Sequence, residues 1–113
     1  MLHDDWAVPG HAMLIWKSHA ENVSDLSDED AMHFSRMHHA AEKNLLAATG
    51  GARAILMKLG IATPHLHLHI YPVGAELGRA EVFAIIDGET QAERDEGLVE
   101  TLRVLLSDLT NPP

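Results

Sequence analysis

The sequence predicts one α+β domain over residues 1–113, on three observations. Residues His65 to Tyr71 alternate between histidine and apolar side chains, which is the period of a strand. Residues 27–49 begin with a cap signal and repeat apolar residues every three or four positions, which is the period of a helix. The remaining apolar runs are joined by connections short enough for antiparallel neighbours, and a second helical pattern follows them.

Taken in order, Met1 to Gly10 is a short polar lead with Asp4-Asp5 and the turn residues Pro9-Gly10; it leaves Trp6 unplaced. His11 to Trp16 predicts a strand. Lys17-Ser18 ends it, His19 falls in the following turn, and residues 20–26 form a loop. Ser27 with Asp30 resembles a capping box, and Asp28, Glu29 and Asp30 suit the positive end of a helix dipole. Ala31, Phe34, Met37, Ala41, Leu45 and Ala48 then share one helix face, and Gly50-Gly51 stops the helix after Thr49. His33, His38 and His39 lie on this helix and read as surface residues.

Arg53 to Leu59 is an apolar run between Gly51 and Gly60, short enough to be a buried strand. The connection Gly60 to Pro64 has hairpin length, so this strand and the histidine strand are expected to pair antiparallel. Val73 to Arg79 reads as a loop. Val82 to Ile86, β-branched and aromatic, predicts a further strand closed by Asp87-Gly88. Thr90 with Glu93 repeats the capping pattern. A helix from Gln91 to Asp108 would bury Leu98, Val99, Leu102, Leu105, Leu106 and Leu109, with Gly97 weakening its first half. Asn111-Pro112-Pro113 is expected to fray.

Composition narrows the function classes. A chain of 113 residues suffices for a small core, which pairing with a second copy would extend. The lack of cysteine excludes disulfides, thiolate metal sites and a cysteine nucleophile. No basic segment leads into an apolar one at the start, and no apolar run is long enough to cross a bilayer. A soluble cytoplasmic protein without membrane partners is the expectation. Eight Lys and Arg are scattered among seventeen Asp and Glu, giving a formal charge of -9, so no nucleic-acid partner is expected. A small phosphate ester remains admissible, because local donors can outweigh net charge at one site.

The chemistry is concentrated in the histidine row. The strand period puts His65, His67, His69 and Tyr71 on one face and Leu66, Leu68 and Ile70 on the other. Successive residues of one face lie about 6.6 Å apart, so His65 and His69 are about 13 Å apart at the backbone. A metal ion needs ligands at about 2 Å. Two neighbours of the row could share an ion with a remote ligand such as His19; all three could not without strong distortion. A phosphate suits the row better. The central imidazole, His67, can attack phosphorus while its neighbours contact oxygens, which splits one difficult displacement into two. Imidazoles can also stabilise the charge that develops, and backbone N–H groups of the Gly60 to Pro64 loop can add to them.

His65-Leu66-His67-Leu68-His69-Ile70-Tyr71 resembles the His-x-His-x-His-x-x signature of the histidine triad (HIT) family of nucleotide hydrolases and transferases. The likeness extends upstream. Residues 9–19, Pro9 to His19, resemble the family's strand and turn that supply a further histidine. Asn22 to Leu26 resembles the lead-in to the main helix, and Lys58-Leu59-Gly60 before Thr63-Pro64 resembles one bacterial branch. The resemblance spans about Pro9 to Pro72. It implies a HIT-like antiparallel sheet of about five strands with one main helix and a C-terminal helix, commonly paired as a homodimer, with no metal and no cofactor in the basic mechanism. It also implies that His67 is the nucleophile forming a nucleotidyl-histidine, that His69 contacts the α-phosphate and assists the leaving group, and that His65 orients His67. His19 corresponds to a second-shell histidine, and Gly60, Ile61, Thr63, His65 and His69 are the expected substrate contacts. The substrate implied is a small, nucleotide-like phosphoanhydride or phosphoramidate. A non-catalytic module binding a nucleotide or phosphometabolite is the alternative, and a two-histidine metal site a third. The sequence departs from the family at Ile55 and its neighbours Leu56 and Met57, at Ile61, at Val73 and at Trp16, where members often carry a ribose-holding Asn, a polar loop residue, an Arg and a Pro.

Overall fold

Strand pairing fixes the frame on which everything else rests. The computed structural model describes residues 5–59 and 64–106. Its elements are β1 (Ala12–Ile15), α1 (Asp28–Thr49), β2 (Arg53–Met57), β3 (His67–Val73), α2 (Arg79–Ile86) and α3 (Glu96–Leu106), with a 3-10 turn at Val23–Asp25 before α1. The strands form one antiparallel sheet in the order β1-β3-β2, so the histidine strand is central. Among the described residues the sheet has three strands, not about five. β1 and β2 already occupy both edges of β3.

The alternation of β3 sorts its side chains as the sequence predicts. Leu68 and Ile70 turn to α1. There Ala12, Ala41, Leu45, Ile70 and Leu102 form a buried cluster, with Ala48, Ala54 and Leu98 against it. Leu14, Ala20, Phe34 and Leu66 form a second cluster beside it. A leucine buried as fully as Leu45 or Leu102 (0% exposed) contributes about 1.5–3 kcal/mol relative to leaving it in water. α3 therefore packs on α1 and extends the core on the helix side of the sheet.

α1 has the ends its sequence dictates. The Ser27 hydroxyl accepts the Asp30 N–H at 3.1 Å, and three acidic residues occupy the first turn. Gly50 adopts φ 73°, a left-handed conformation, and its N–H reaches the Leu46 carbonyl at 2.9 Å.

Three expectations are corrected. The run Val82 to Ile86 lies in helix α2, not a strand. The Glu81 carboxylate accepts the Gly78 N–H at its start, Ile85 is buried and Phe83 is exposed beneath the Arg79 guanidinium. β-propensity spans only about 1 kcal/mol and depends on context, and here the burial of Ile85 against Tyr71 and Val73 outweighs it. The last helix begins at Glu96 rather than Gln91. The Thr90 hydroxyl is used elsewhere, donating to the Ala7 carbonyl at 3.0 Å, and the Asp95 carboxylate accepts the Leu98 N–H at 3.1 Å. Gly97 thus sits in the first turn, where its lower propensity costs little. Finally, β2 ends at Met57 rather than Leu59, and β3 begins at His67, with His65 in the bend before it. Val99 and Leu102 are buried as expected. The side chains of Leu105 and Leu106, together with residues 107–113, lie outside the described part.

The other side of the sheet is only half covered. Tyr71 and Val73, at the far end of β3, are buried against Ile85 of α2, with Ala7, Val8 and Leu77 at the margin. Trp6, unplaced by the sequence, is 2% exposed, and its carbonyl accepts the Ala92 N–H at 2.8 Å. This cover stops short of His67 and His69, which remain half-buried. No described helix is long and apolar enough to cross a membrane.

Candidate active site

The half-covered sheet face carries the histidines, and their hydrogen bonds decide which nitrogen bears each proton. Neutral imidazole has one N–H and one lone-pair nitrogen. His67 Nδ1 lies 2.6 Å from the His65 carbonyl oxygen. A carbonyl can only accept, so Nδ1 carries the proton and Nε2 carries the lone pair. His67 Nε2 makes no hydrogen bond to a described residue. In the same way His65 Nε2 donates to the Trp16 carbonyl, which anchors the first histidine to the end of β1. Trp16 N–H returns a bond to the Leu66 carbonyl at 3.1 Å, which continues the β1–β3 pairing past Ile15.

His69 receives the opposite tautomer. Its Nδ1 is 2.9 Å from His11 Nε2. His11 Nδ1 accepts the Ala7 backbone N–H at 3.4 Å, so the His11 proton is on Nε2 and is donated to His69 Nδ1. The His69 proton is then on Nε2. The row thus presents a lone pair at His67 and an N–H at the adjacent His69, with ring centroids 5.4 Å apart. That pairing of a nucleophile with a proton donor can carry out displacement at phosphorus.

His11 is the residue that sequence reasoning missed. It is 4% exposed and stacks on Tyr71 with ring centroids 4.2 Å apart. The turn Val8–His11, closed by the His11 N–H to the Val8 carbonyl at 3.1 Å, delivers it there. Gly10 permits that turn at φ 84°, and a Cβ at this position would meet Thr49 Cγ2 at 2.7 Å. The usable signal was present: Ala12 pairs with Ile70, which places His11 beside Tyr71 on the row face once the register is known. Burial pushes the Tyr71 hydroxyl above its ordinary value of 10.0.

The predicted site residues distribute as follows. His65, His67 and His69 are brought together. His19 is exposed in the turn after β1, and no described contact joins it to the row. Gly60, Ile61 and Thr63 lie outside the described residues. Val73 is core, and Ile55 stands opposite Tyr71. Trp16 packs edge-on against Phe34 and His33. His38 pairs with Glu42 at 3.5 Å within α1. Among the described residues no three His, Asp or Glu side chains converge so as to hold a metal ion. A groove of about 240 Å3, lined by Val8, Pro9, Thr49, Pro72 and Leu77 among others, lies at the far end of β3 and holds no histidine.

Comparison with known proteins agrees with this layout. No curated protein matches the chain. The family model described as the HIT domain matches residues 1–75, which contain β1, α1, β2, the histidine row and His11. With two thirds of its length in that match and the triad carried by a central antiparallel strand and the bend that leads into it, the chain belongs to the HIT domain family, whose members are nucleotide hydrolases and transferases.

Proposed function

We propose that the protein is a hydrolase or transferase of nucleotide-like phosphoanhydrides or phosphoramidates, acting through a covalent intermediate on His67. The observation that carries this reading is the pair of opposed tautomers: His67 Nδ1 is committed to the His65 carbonyl, and His69 Nδ1 to His11. His67 Nε2 attacks phosphorus, and the bond from phosphorus to the leaving oxygen or nitrogen breaks. His69 Nε2–H gives its proton to the departing atom, leaving a phosphoryl-histidine. Water, losing a proton to His69, then attacks the same phosphorus and releases His67; a second acceptor in place of water makes the reaction a transfer. His65 holds His67 in its reactive tautomer. His19 is assigned a supporting position at the rim, and the Gly60 to Thr63 segment contacts to the substrate.

Intact-mass measurement during turnover of a nucleotidyl phosphoramidate tests this. An adduct of the size of the transferred group is expected on the wild-type chain and is absent from His67→Ala. Undiminished turnover in that variant overturns the assignment, and binding without any adduct favours the non-catalytic reading.

A further inference from the structure

Two thioethers stand beside His69. Directly opposite residues of an antiparallel pair share a face and lie with Cβ atoms about 4.5–5.5 Å apart. His69 is opposite Met13 on β1 and opposite Met57 on β2, so a methionine flanks it from each side on the row's own face. An unbranched side chain with three rotatable bonds spans that separation. Both methionines are half-buried, which admits a small oxidant. The other described methionines lie on α1, across the sheet from the row. Met37 packs with Phe34 in the helix-side core, and Met32 is 56% exposed. The chain has no cysteine, so its thioethers are the sulfur atoms open to oxidation.

Oxidation at these two positions changes what the row can do. A peroxide gives one oxygen to a methionine sulfur: the O–O bond breaks, an S–O bond forms, sulfur is oxidised by two electrons and the other oxygen leaves as water. The sulfoxide is polar and chiral where the thioether was apolar. His69 carries its proton on Nε2, because its Nδ1 accepts from His11. Thioether sulfur is only a weak acceptor, so the reduced methionines leave that proton to the substrate. A sulfoxide oxygen on Met13 or Met57 accepts it in a hydrogen bond and competes with the leaving atom. Resting on the assignment of His69 as proton donor, we infer that Met13 and Met57 form a reversible oxidation site, at which a peroxide silences the row by engaging the His69 proton and sulfoxide reduction restores it.

The test treats three chains with hydrogen peroxide in the presence of a chelator: the wild type, the double variant Met13→Leu/Met57→Leu, and Met32→Leu. Peptide mass mapping locates the added oxygens. Leucine is close to methionine in volume, so the double variant keeps the packing. In the wild type, oxygen at Met13 and Met57 is expected to slow turnover of a nucleotidyl alkylphosphoramidate by about tenfold or more, a share of the about 10²–10⁴-fold that proton donation supplies. A nucleotidyl nitrophenyl ester, whose leaving group needs no proton, is spared, and methionine sulfoxide reductase restores the lost rate. The double variant keeps both rates after peroxide, and Met32→Leu behaves as the wild type. Equal loss in the double variant, equal slowing of both donors, or no added oxygen at either Met13 or Met57 overturns the inference. Ring-nitrogen NMR separates it from the proposed reaction. On oxidation of the wild type, and not of the double variant, the His69 Nε2-bound proton is expected to shift downfield and to exchange more slowly with water. That change in a chain that turns over neither donor supports the oxidation site and rejects the reaction. Sulfoxide at both positions with the proton signal unchanged overturns the site.

Discussion

At the scale of single residues the proposed mechanism turns on the assignment of protons. In it, His11 acts through the place where the His69 proton rests. His11→Ala leaves His69 Nδ1 without the donor now 2.9 Å away. Loss of proton donation costs about 10²–10⁴-fold in rate when the leaving group needs protonation. His11→Ala is therefore expected to slow turnover of alkylamine phosphoramidates on that scale and to spare donors with acidic leaving groups such as nitrophenol. Equal slowing of both would show a general disturbance and reject the proton assignment. Tyr71, stacked on His11, has a different readout. Its folded-state value is raised, so the folded chain keeps the phenolic proton longer than the unfolded chain does. Its contribution to stability is complete below pH about 10 and is lost as pH rises through the folded-state value. The chain has one tyrosine, so tyrosinate absorbance follows this group alone. A midpoint above 10.0 is expected in the folded protein, falling when denaturant is added; a midpoint at or below 10.0 in the folded state contradicts the burial argument.

At the scale of elements, legibility followed the range of the signal. α1 was readable because Ser27, Asp30 and Gly50 act within a turn of their own positions. The row was readable because strand alternation is local too. α2 and the start of α3 were not, because the deciding facts are distant. Ile85 of α2 is buried against Tyr71 and Val73 of β3, and Thr90 was drawn to Ala7, 83 residues away. His11 was hidden for the same reason, since only the β1–β3 register puts it beside Tyr71 and His69. The helix–sheet contact that fixes this register has a measurable weight. Leu45 is 0% exposed at the centre of the α1–β3–α3 cluster, and Leu45→Ala should destabilise the protein by about 2–5 kcal/mol in denaturant unfolding. Phe83→Ala on α2, where the ring is 47% exposed, should cost under about 1 kcal/mol. Comparable losses at both positions would mean that α2 carries more of the fold than its burial implies.

At the scale of the whole molecule, the sheet is left with two edges. β1 and β2 each pair on one side only, to β3, among the described residues. Exposed strand edges are an invitation to pairing unless something covers them. A 113-residue chain also gains proportionately from any extension of its core. We propose a homodimer on this basis. Sedimentation velocity at micromolar concentration should give twice the mass of the 12.4 kDa chain, and a single species of chain mass would reject it.

The bond from Thr90 to Ala7 and the bond from Ala92 to Trp6 have a consequence for how the protein can be divided. The segment that matches the family ends at residue 75. Yet the Ala7 amide that orients His11 is clasped by residues 90–92, well beyond that limit. The signature and its working parts therefore have different boundaries. A recombinant fragment cut at residue 75 would keep every histidine and forfeit the clasp behind the Ala7 amide on which the proton states of His11 and His69 depend, so the row is not a portable module to be grafted by motif alone.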